Sequence, residues 1–282
     1  MERRFVLSMT IGLLLFPLIV QAQVLNNVSL RVVLIETTTL SGTGFTVDVD
    51  GRQYLITAKH VASGLKDGDS VRIHRVDGWM KTKVKVFRCD EPIDIAVLIP
   101  DRQLTVNFAL EPSIAGMQVG QDTYFLGFPY GWLLSDNKYH SVSVSFPFIK
   151  KATASASAPA GSHAVLYLDG HNNPGFSGGP IVFRDFNQAG YIMKVAGVIS
   201  GYRPNLQPVL IKKRLDANED VSHIEPWRIV TINGQRFKLE DGEQLVDTNS
   251  GIIQGYTIDA AVDLIKKHPD GPMAKDGNPP LE

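Results

Sequence analysis

Cysteine is nearly absent. Cys89 is the single cysteine in 282 residues. One thiol cannot close an intramolecular disulfide, and it cannot supply the cysteine set of a structural zinc site, so the fold must rest on its core. An excess of one charge is missing too. Lys and Arg number 28 against 29 Asp and Glu, a net charge of −1, which argues against nucleic acid as a partner. The tract Lys212-Lys213-Arg214 is short and reads as a solvated loop. Downstream of the N-terminal segment no apolar run is long enough for a second membrane span. The chain is 44% hydrophobic and 20% charged, an ordinary globular balance. Its length suits one large all-β domain or two small ones.

The first residues have their own grammar. Arg3 and Arg4 form a positive n-region, and an apolar stretch follows from Phe5 to Val20, broken by Ser8, Thr10, Gly12 and Pro17. Val20-Gln21-Ala22 then offers a small-residue cleavage pattern. The stretch is short for a bilayer core of ~30 Å, so residues 1–22 read as a secretory signal peptide. That predicts a secreted, periplasmic or cell-envelope protein, with membrane association only if the segment stays uncleaved.

From Val24 the pattern is β-rich. Ser29-Leu30-Arg31-Val32-Val33-Leu34-Ile35 is largely apolar and β-branched. Gly44–Val49 alternates, turns at Asp50-Gly51 and continues into Tyr54–Thr57, the strongest short-range hairpin pattern. Strands are also expected at Ser70–His74, Lys83–Phe87, Ile95–Ile99, Thr123–Leu126, Ser141–Ser145, Val165–Leu168, Ile181–Phe183, Lys194–Ser200 and Ile252–Thr257. One helix is expected over Asp259–Lys267, with acids in its first turn, lysines in its last, and Val262, Leu264 and Ile265 as its apolar stripe. Ala152–Gly161 reads as a small-residue loop. Residues 207–249 read as a polar insertion holding a hairpin at Asn233-Gly234. Residues 269–282 read as a loose tail.

Three segments carry chemistry. Gly175-Phe176-Ser177-Gly178-Gly179-Pro180 surrounds a serine with glycines that let the backbone turn sharply, expose Oγ and free the N–H groups of Gly175 and Ser177 toward a developing oxyanion. Thr57-Ala58-Lys59-His60 follows the first hairpin. Asp94-Ile95-Ala96-Val97-Leu98 places an acid at the mouth of an apolar strand. Alone, each has a plainer reading: a glycine-rich turn, a loop histidine, a turn aspartate. His74, His140, His163, His223 and His268 are read as core or loop residues, and Cys89 as a small residue near a strand end rather than a nucleophile. Together the three segments fall in the order His60, Asp94, Ser177, separated by 34 and 83 residues. A serine needs a base, and a base histidine needs an acid on its far nitrogen.

Thr57-Ala58-Lys59-His60 resembles the Thr-Ala-Ala-His of trypsin-like peptidases, and Asp94-Ile95-Ala96-Val97-Leu98 resembles their Asp-Ile-Ala-Leu-Leu. Asn173-Pro174-Gly175-Phe176-Ser177-Gly178-Gly179-Pro180 is similar to the Asn-Pro-Gly-Asn-Ser-Gly-Gly-Pro of the HtrA/DegP-like branch. Val119-Gly120 and Leu126-Gly127-Phe128-Pro129-Tyr130-Gly131 resemble further motifs of that branch, as does Gly251–Ile258. The fewer than twenty residues after His268 are too few for the PDZ domain common there, residues 207–249 have no counterpart, and Phe176 replaces the usual Asn or Asp.

The resemblance implies an all-β fold of two six-stranded antiparallel β-barrels with a C-terminal helix. Residues 23–130 would hold His60 and Asp94, and 131–268 would hold Ser177. It implies a serine endopeptidase acting on proteins or peptides through a His60-Asp94-Ser177 triad and an acyl-enzyme, needing no metal or organic cofactor. His171 would lie at the base of the substrate pocket, with Ser200, Gly201 and Tyr202 as one wall. The alternative is a catalytically silent binding module on the same fold. An esterase is disfavoured because α/β-hydrolases place the serine first. Phe176 has no charge for an inserted N-terminal amine to meet, so its loop must be held otherwise, by Phe176 packing and by the fixed φ of Pro174.

Edman sequencing of the protein from its native host should begin at Gln23. Intact Met1 on material released only by detergent would show an uncleaved anchor instead.

Overall fold

Two dipeptides set the local geometry of two hairpins. Asp50 and Gly51 adopt φ of 50° and 73°, and Asn233 and Gly234 adopt 49° and 75°, the left-handed pairs that a tight turn between twisted strands demands. The computed structural model describes residues 24, 26–75, 78–133, 146–187, 190–216 and 218–276. The expected signal peptide, its cleavage site, the strand expected at Ser141–Ser145, His140 and residues 277–282 lie outside the described residues.

After a helical turn α1 (Asn26–Ser29), six strands form the first barrel: β1 (Val32–Glu36), β2 (Ser41–Val49), β3 (Arg52–Thr57), β4 (Ser70–Arg75), β5 (Gly78–Arg88) and β6 (Ala96–Pro100). They close in the order β1-β2-β3-β6-β5-β4 with every neighbour antiparallel. A two-residue strand β7 (Glu111–Pro112) follows. The second barrel comprises β8 (Asp122–Gly127), β9 (Phe148–Ala160), β10 (His163–Asp169), β11 (Pro180–Asn187), β12 (Gly190–Tyr202) and, later in the chain, β16 (Ile252–Thr257). These run β11-β8-β9-β10-β16-β12 and close through β12 with β11. Between β12 and β16, strands β13 (Leu206–Arg214), β14 (Ile229–Ile232) and β15 (Gln235–Asp247) form a separate sheet in the order β13-β15-β14. The helix α2 (Asp259–Lys267) follows β16. The chain is thus mostly β, with two closed six-stranded antiparallel barrels and one short C-terminal helix.

Each barrel has its own interior. Val33, Ile35, Leu55, Ile73 and Leu98 fill the first, and Phe125, Leu166, Phe176, Phe183 and Ile199 fill the second. A third cluster joins the two, with Phe45, Ile56 and Val97 meeting Leu126, Val198, Tyr256 and Ile258. This apolar seam holds the cleft edges in place.

Three expectations need correction. The second barrel begins at β8, which pairs with β9 and β11, so the boundary falls in the connection before residue 122 and not at 130. Ala152–Gly161 is mostly strand, not loop. Ala152 and Ala154 are buried in β9, and a Cβ on Gly170 would approach Ala152 Cβ to 2.9 Å, so tight packing selects small residues over strong β-formers. The start of the tail is pinned. Gln53 N–H donates to Pro272 O, Ala274 N–H to Gly51 O, and Arg52 to Gly271 O. The helix stripe is as expected: Ile265 is buried and Val262 and Leu264 pack half-buried against the same cluster, with Ala260 and Ala261 buried beside them.

Arg31 is 1% exposed. Its guanidinium meets the Asp48 carboxylate and Phe108 O, and reaches Thr46 Oγ1 at 3.4 Å. This ties the entry to β1, strand β2 and the inter-barrel connection together. Arg31→Ala strands a buried acceptor and a carboxylate, and should cost about 3–5 kcal/mol. Urea unfolding followed by tryptophan fluorescence would measure it, and a loss below ~1 kcal/mol would show the cluster to be dispensable.

Candidate active site

Strands β3 and β6 are antiparallel neighbours with Thr57 opposite Ala96. The chain leaving β3 therefore runs beside the chain entering β6, and His60 meets Asp94. Lys59 N–H donates to Asp94 O at 3.3 Å, extending the ladder. His60 N–H donates to Asp94 Oδ1 at 2.9 Å, and the ring Nδ1 lies 2.7 Å from Oδ2. From the other barrel the Ser200 hydroxyl donates to the same Oδ2 at 2.6 Å.

Burial pushes the Asp94 carboxyl up, but the hydrogen bonds from the His60 ring and the Ser200 hydroxyl, the attraction of His60 and the His60 amide outweigh it, and the net result lies below the usual aspartate value. The stabilisation this supplies is present above the unfolded-state pKa and fades as pH falls through the lower folded value. An ionised carboxylate only accepts, so the His60 Nδ1 carries the hydrogen of that bond. The His60 side chain is 47% exposed.

Ser177 comes from the turn before β11. Its Oγ donates to Ser200 O at 3.0 Å. Ser200 thus touches both partners, its hydroxyl on Asp94 and its carbonyl on Ser177, and His60, Asp94, Ser200 and Ser177 form one connected network. No hydrogen bond joins Ser177 Oγ to His60 among the described residues. The two segments are nonetheless neighbours: a Cβ on Gly42 would meet Val61 Cγ2 at 2.7 Å and Ser177 O at 3.1 Å.

The turn needs its glycines. Gly175 has φ 101°, and a Cβ there would fall 2.3 Å from Phe128 O; Gly178 has φ 86°, and its Cβ would fall 2.1 Å from Thr43 O. Pro174 O accepts from Tyr130 N–H at 2.7 Å, so the Gly175 N–H on the same planar peptide points to the opposite side. Neither the Gly175 nor the Ser177 N–H donates to a protein acceptor among the described residues. Two unpaired donors beside the half-buried Ser177 hydroxyl suit a developing negative oxygen.

Thr43, which the sequence reading passed over, fastens this turn to the first barrel. Its N–H donates to Ser177 O at 2.9 Å and its hydroxyl to Gly175 O at 2.6 Å, while Phe128 N–H donates to that hydroxyl at 3.0 Å. Thr57 Oγ1 donates to Thr43 O at 2.7 Å. Of the expected pocket residues, His171 is exposed, and its carbonyl accepts from Lys150. Ser200 belongs to the network above, Gly201 faces open space, and Tyr202 donates its hydroxyl to Asp247 at 2.7 Å. Cys89 is half-buried, and burial pushes its thiol up to about 11, so it stays a neutral thiol. His163 pairs with Asp263 at 3.1 Å, and His74 is buried. Among the described residues no group of three or more His, Cys, Asp or Glu side chains is gathered to hold a metal ion.

The family model of the trypsin-like peptidase domain matches residues 42–190. That span holds His60, Asp94 and Ser177. No curated protein matches the chain in sequence. Among solved structures, the Rv3671c protease from M. tuberculosis H37Rv in its inactive form is 18% identical, with 86% of this chain and 90% of that chain covered and a TM-score of 0.47. The HtrA-type protease AlgW with a tripeptide is also 18% identical, with 86% and 61% covered and a TM-score of 0.49.

Thr43→Val removes a hydroxyl from between two backbone groups and leaves the Phe128 N–H, on a residue 1% exposed, without an acceptor. Stability should fall by about 1–3 kcal/mol, and Thr43→Ser should recover most of it. Equal urea midpoints for the parent and Thr43→Val would refute the clamp.

Proposed function

This chain belongs to the trypsin-like peptidase domain family, and from that premise we propose that it is a serine endopeptidase whose triad is His60, Asp94 and Ser177. The observation that carries the reading is the network His60–Asp94–Ser200–Ser177, which spans both barrels and ends at two unpaired backbone donors.

In this reading a substrate carbonyl is seated with its oxygen toward the Gly175 and Ser177 N–H groups. Ser177 Oγ turns from Ser200 O toward His60 Nε2, gives up its proton there and attacks the carbonyl carbon. The negative oxygen that forms is held by the two N–H groups, and the imidazolium by Asp94. As the tetrahedral adduct collapses, His60 hands its proton to the departing amine, leaving an ester on Ser177. Water then enters, loses a proton to His60 and attacks the ester. The second collapse frees the acid and returns the proton to Ser177. Asp94 stays ionised throughout, which its three hydrogen bonds favour.

Substrate choice follows from His171 with Ser200, Gly201 and Tyr202. His171 brings no fixed negative charge, so a strict Arg or Lys preference is not expected. We also assign the protein to the exported compartment, on the N-terminal pattern. A second reading, a catalytically silent binding module, draws on one observation: the Ser177 hydroxyl is bonded to Ser200 O and not to His60. Labelling by a serine-directed fluorophosphonate separates the two.

Ser177→Ala, His60→Ala and Asp94→Asn should each lower kcat by ~10⁴ or more on a cleavable peptide. Circular dichroism should match the parent. Full hydrolysis by purified Ser177→Ala would end the proposal.

A further inference from the structure

The turn that carries the Gly175 and Ser177 amides has a cation at its back. Lys150 lies near the start of β9. Its Nζ donates to His171 O and, at 2.7 Å, to Asn173 Oδ1, and stands 5.6 Å from the centre of the Phe176 ring. One ammonium thus touches residues 171, 173 and 176 of a single loop. Phe176 is fully buried and packs edge-on against Phe125 with ring centres 5.0 Å apart. Phe125 is the residue opposite Lys150 in the β8–β9 ladder. Strand, ring and ammonium therefore form one support beneath the loop.

The lysine has no other employment. Among the described residues no carboxylate pairs with Lys150, whereas its neighbour Lys151 points to the opposite face and pairs with Asp122 at 2.7 Å. Partial burial holds the Lys150 ammonium below the ordinary lysine value, so the location opposes the charge. A half-buried ammonium whose donors go to a main-chain carbonyl and a side-chain amide of the same loop is a brace for that loop. Asn173 passes the restraint on, since its Nδ2 donates to Tyr130 Oη at 3.4 Å, and Tyr130 N–H holds Pro174 O.

We propose that Lys150 is a positioning residue that holds loop 171–177 in the conformation presenting the Gly175 and Ser177 N–H groups, an inference that rests on the peptidase reading of this site. Lys150 touches no reacting atom. It acts on the two donors through Asn173, Phe176 and the backbone between them.

Lys150→Met keeps the apolar stem and removes the donors and the charge. In the full chain it should lower kcat about 10-fold or more while KM changes less than ~3-fold, because the donors act mainly on the transition state. Lys150→Arg, which keeps the charge and the donors, should retain kcat within ~3-fold. A second measurement needs no turnover: on a Ser177→Ala background, Lys150→Met should speed amide hydrogen exchange within 171–177 by about 10-fold and leave β10 and β16 unchanged. If Lys150→Met fails to fold, Lys150→Gln takes its place. Unchanged kcat or unchanged loop exchange overturns the proposal, as does equal loss in the Met and Arg variants. A parent protein inert to peptides and to fluorophosphonate would refute the peptidase reading instead, and the exchange measurement would still decide the role of Lys150.

Discussion

A carboxylate that is mostly out of water must be satisfied on several sides, and Asp94 is satisfied by groups from both barrels. The His60 amide and ring come from the end of β3, and the Ser200 hydroxyl comes from β12. Removing any of these leaves buried charge under-bonded, a cost larger than that of losing an ordinary surface pair. The same demand fixes which face of the imidazole looks outward and which strand of the second barrel lies against the first. Ser200 then presents its carbonyl to Ser177. The relative setting of the barrels and the orientation of the site are thus two results of compensating one charge.

The serine turn is governed by backbone demands instead. Gly175 and Gly178 stand where any side chain would strike main-chain atoms of the neighbouring segment, so the turn packs flush against the first barrel. That closeness lets Thr43 reach three backbone groups at once. A β-branched residue with a hydroxyl suits the position: its stiffness holds the oxygen in place, and its oxygen both donates to Gly175 O and accepts from Phe128 N–H. The clamp and the Asp94 network meet the turn at different atoms, one at the backbone and one at Oγ.

Much of this was legible in the chain because it is local. Asp50-Gly51 and Asn233-Gly234 announce their hairpins, and the three short motifs around His60, Asp94 and Ser177 carry their own context in four to eight residues. The barrels follow from strands that alternate or run apolar. What escaped notice depends on partners distant in sequence. Thr43 looks like any strand threonine until Gly175 is brought to it across 132 residues. Lys150 sits in an ordinary Lys-Lys pair, and only the fold turns one lysine to Asp122 and the other under the loop. The Ala and Ser run of β9 argued against a strand by propensity, yet it pairs with β8 and β10 along its length, and Ala152 and Ala154 are buried where Gly170 packs close. The pinned segment 270–275 is polar and rich in Pro and Gly, and its order comes from the β2–β3 hairpin and Gln103 rather than from its composition.

Phe176 shows how an apolar residue can replace a charged one in ordering a loop. The resemblance implied that a residue just before the serine should meet an ammonium, and an uncharged ring argued that none would come. An ammonium does come, from Lys150 on β9, and it takes the ring face at a distance together with the His171 carbonyl and the Asn173 amide oxygen, both just before Pro174. The charge is therefore met by dipoles and not by a counter-charge, which lets the ring bury itself completely in the second barrel. The groups that hold the loop include Thr43 on β2, Tyr130 after β8, Lys150 on β9, Phe125 beneath the ring and Asn249, whose amide donates to Asn172 O, and all belong to the interior of the chain. The order of the loop is then a property of the folded barrels, reached when β8 and β9 pair and the seam closes.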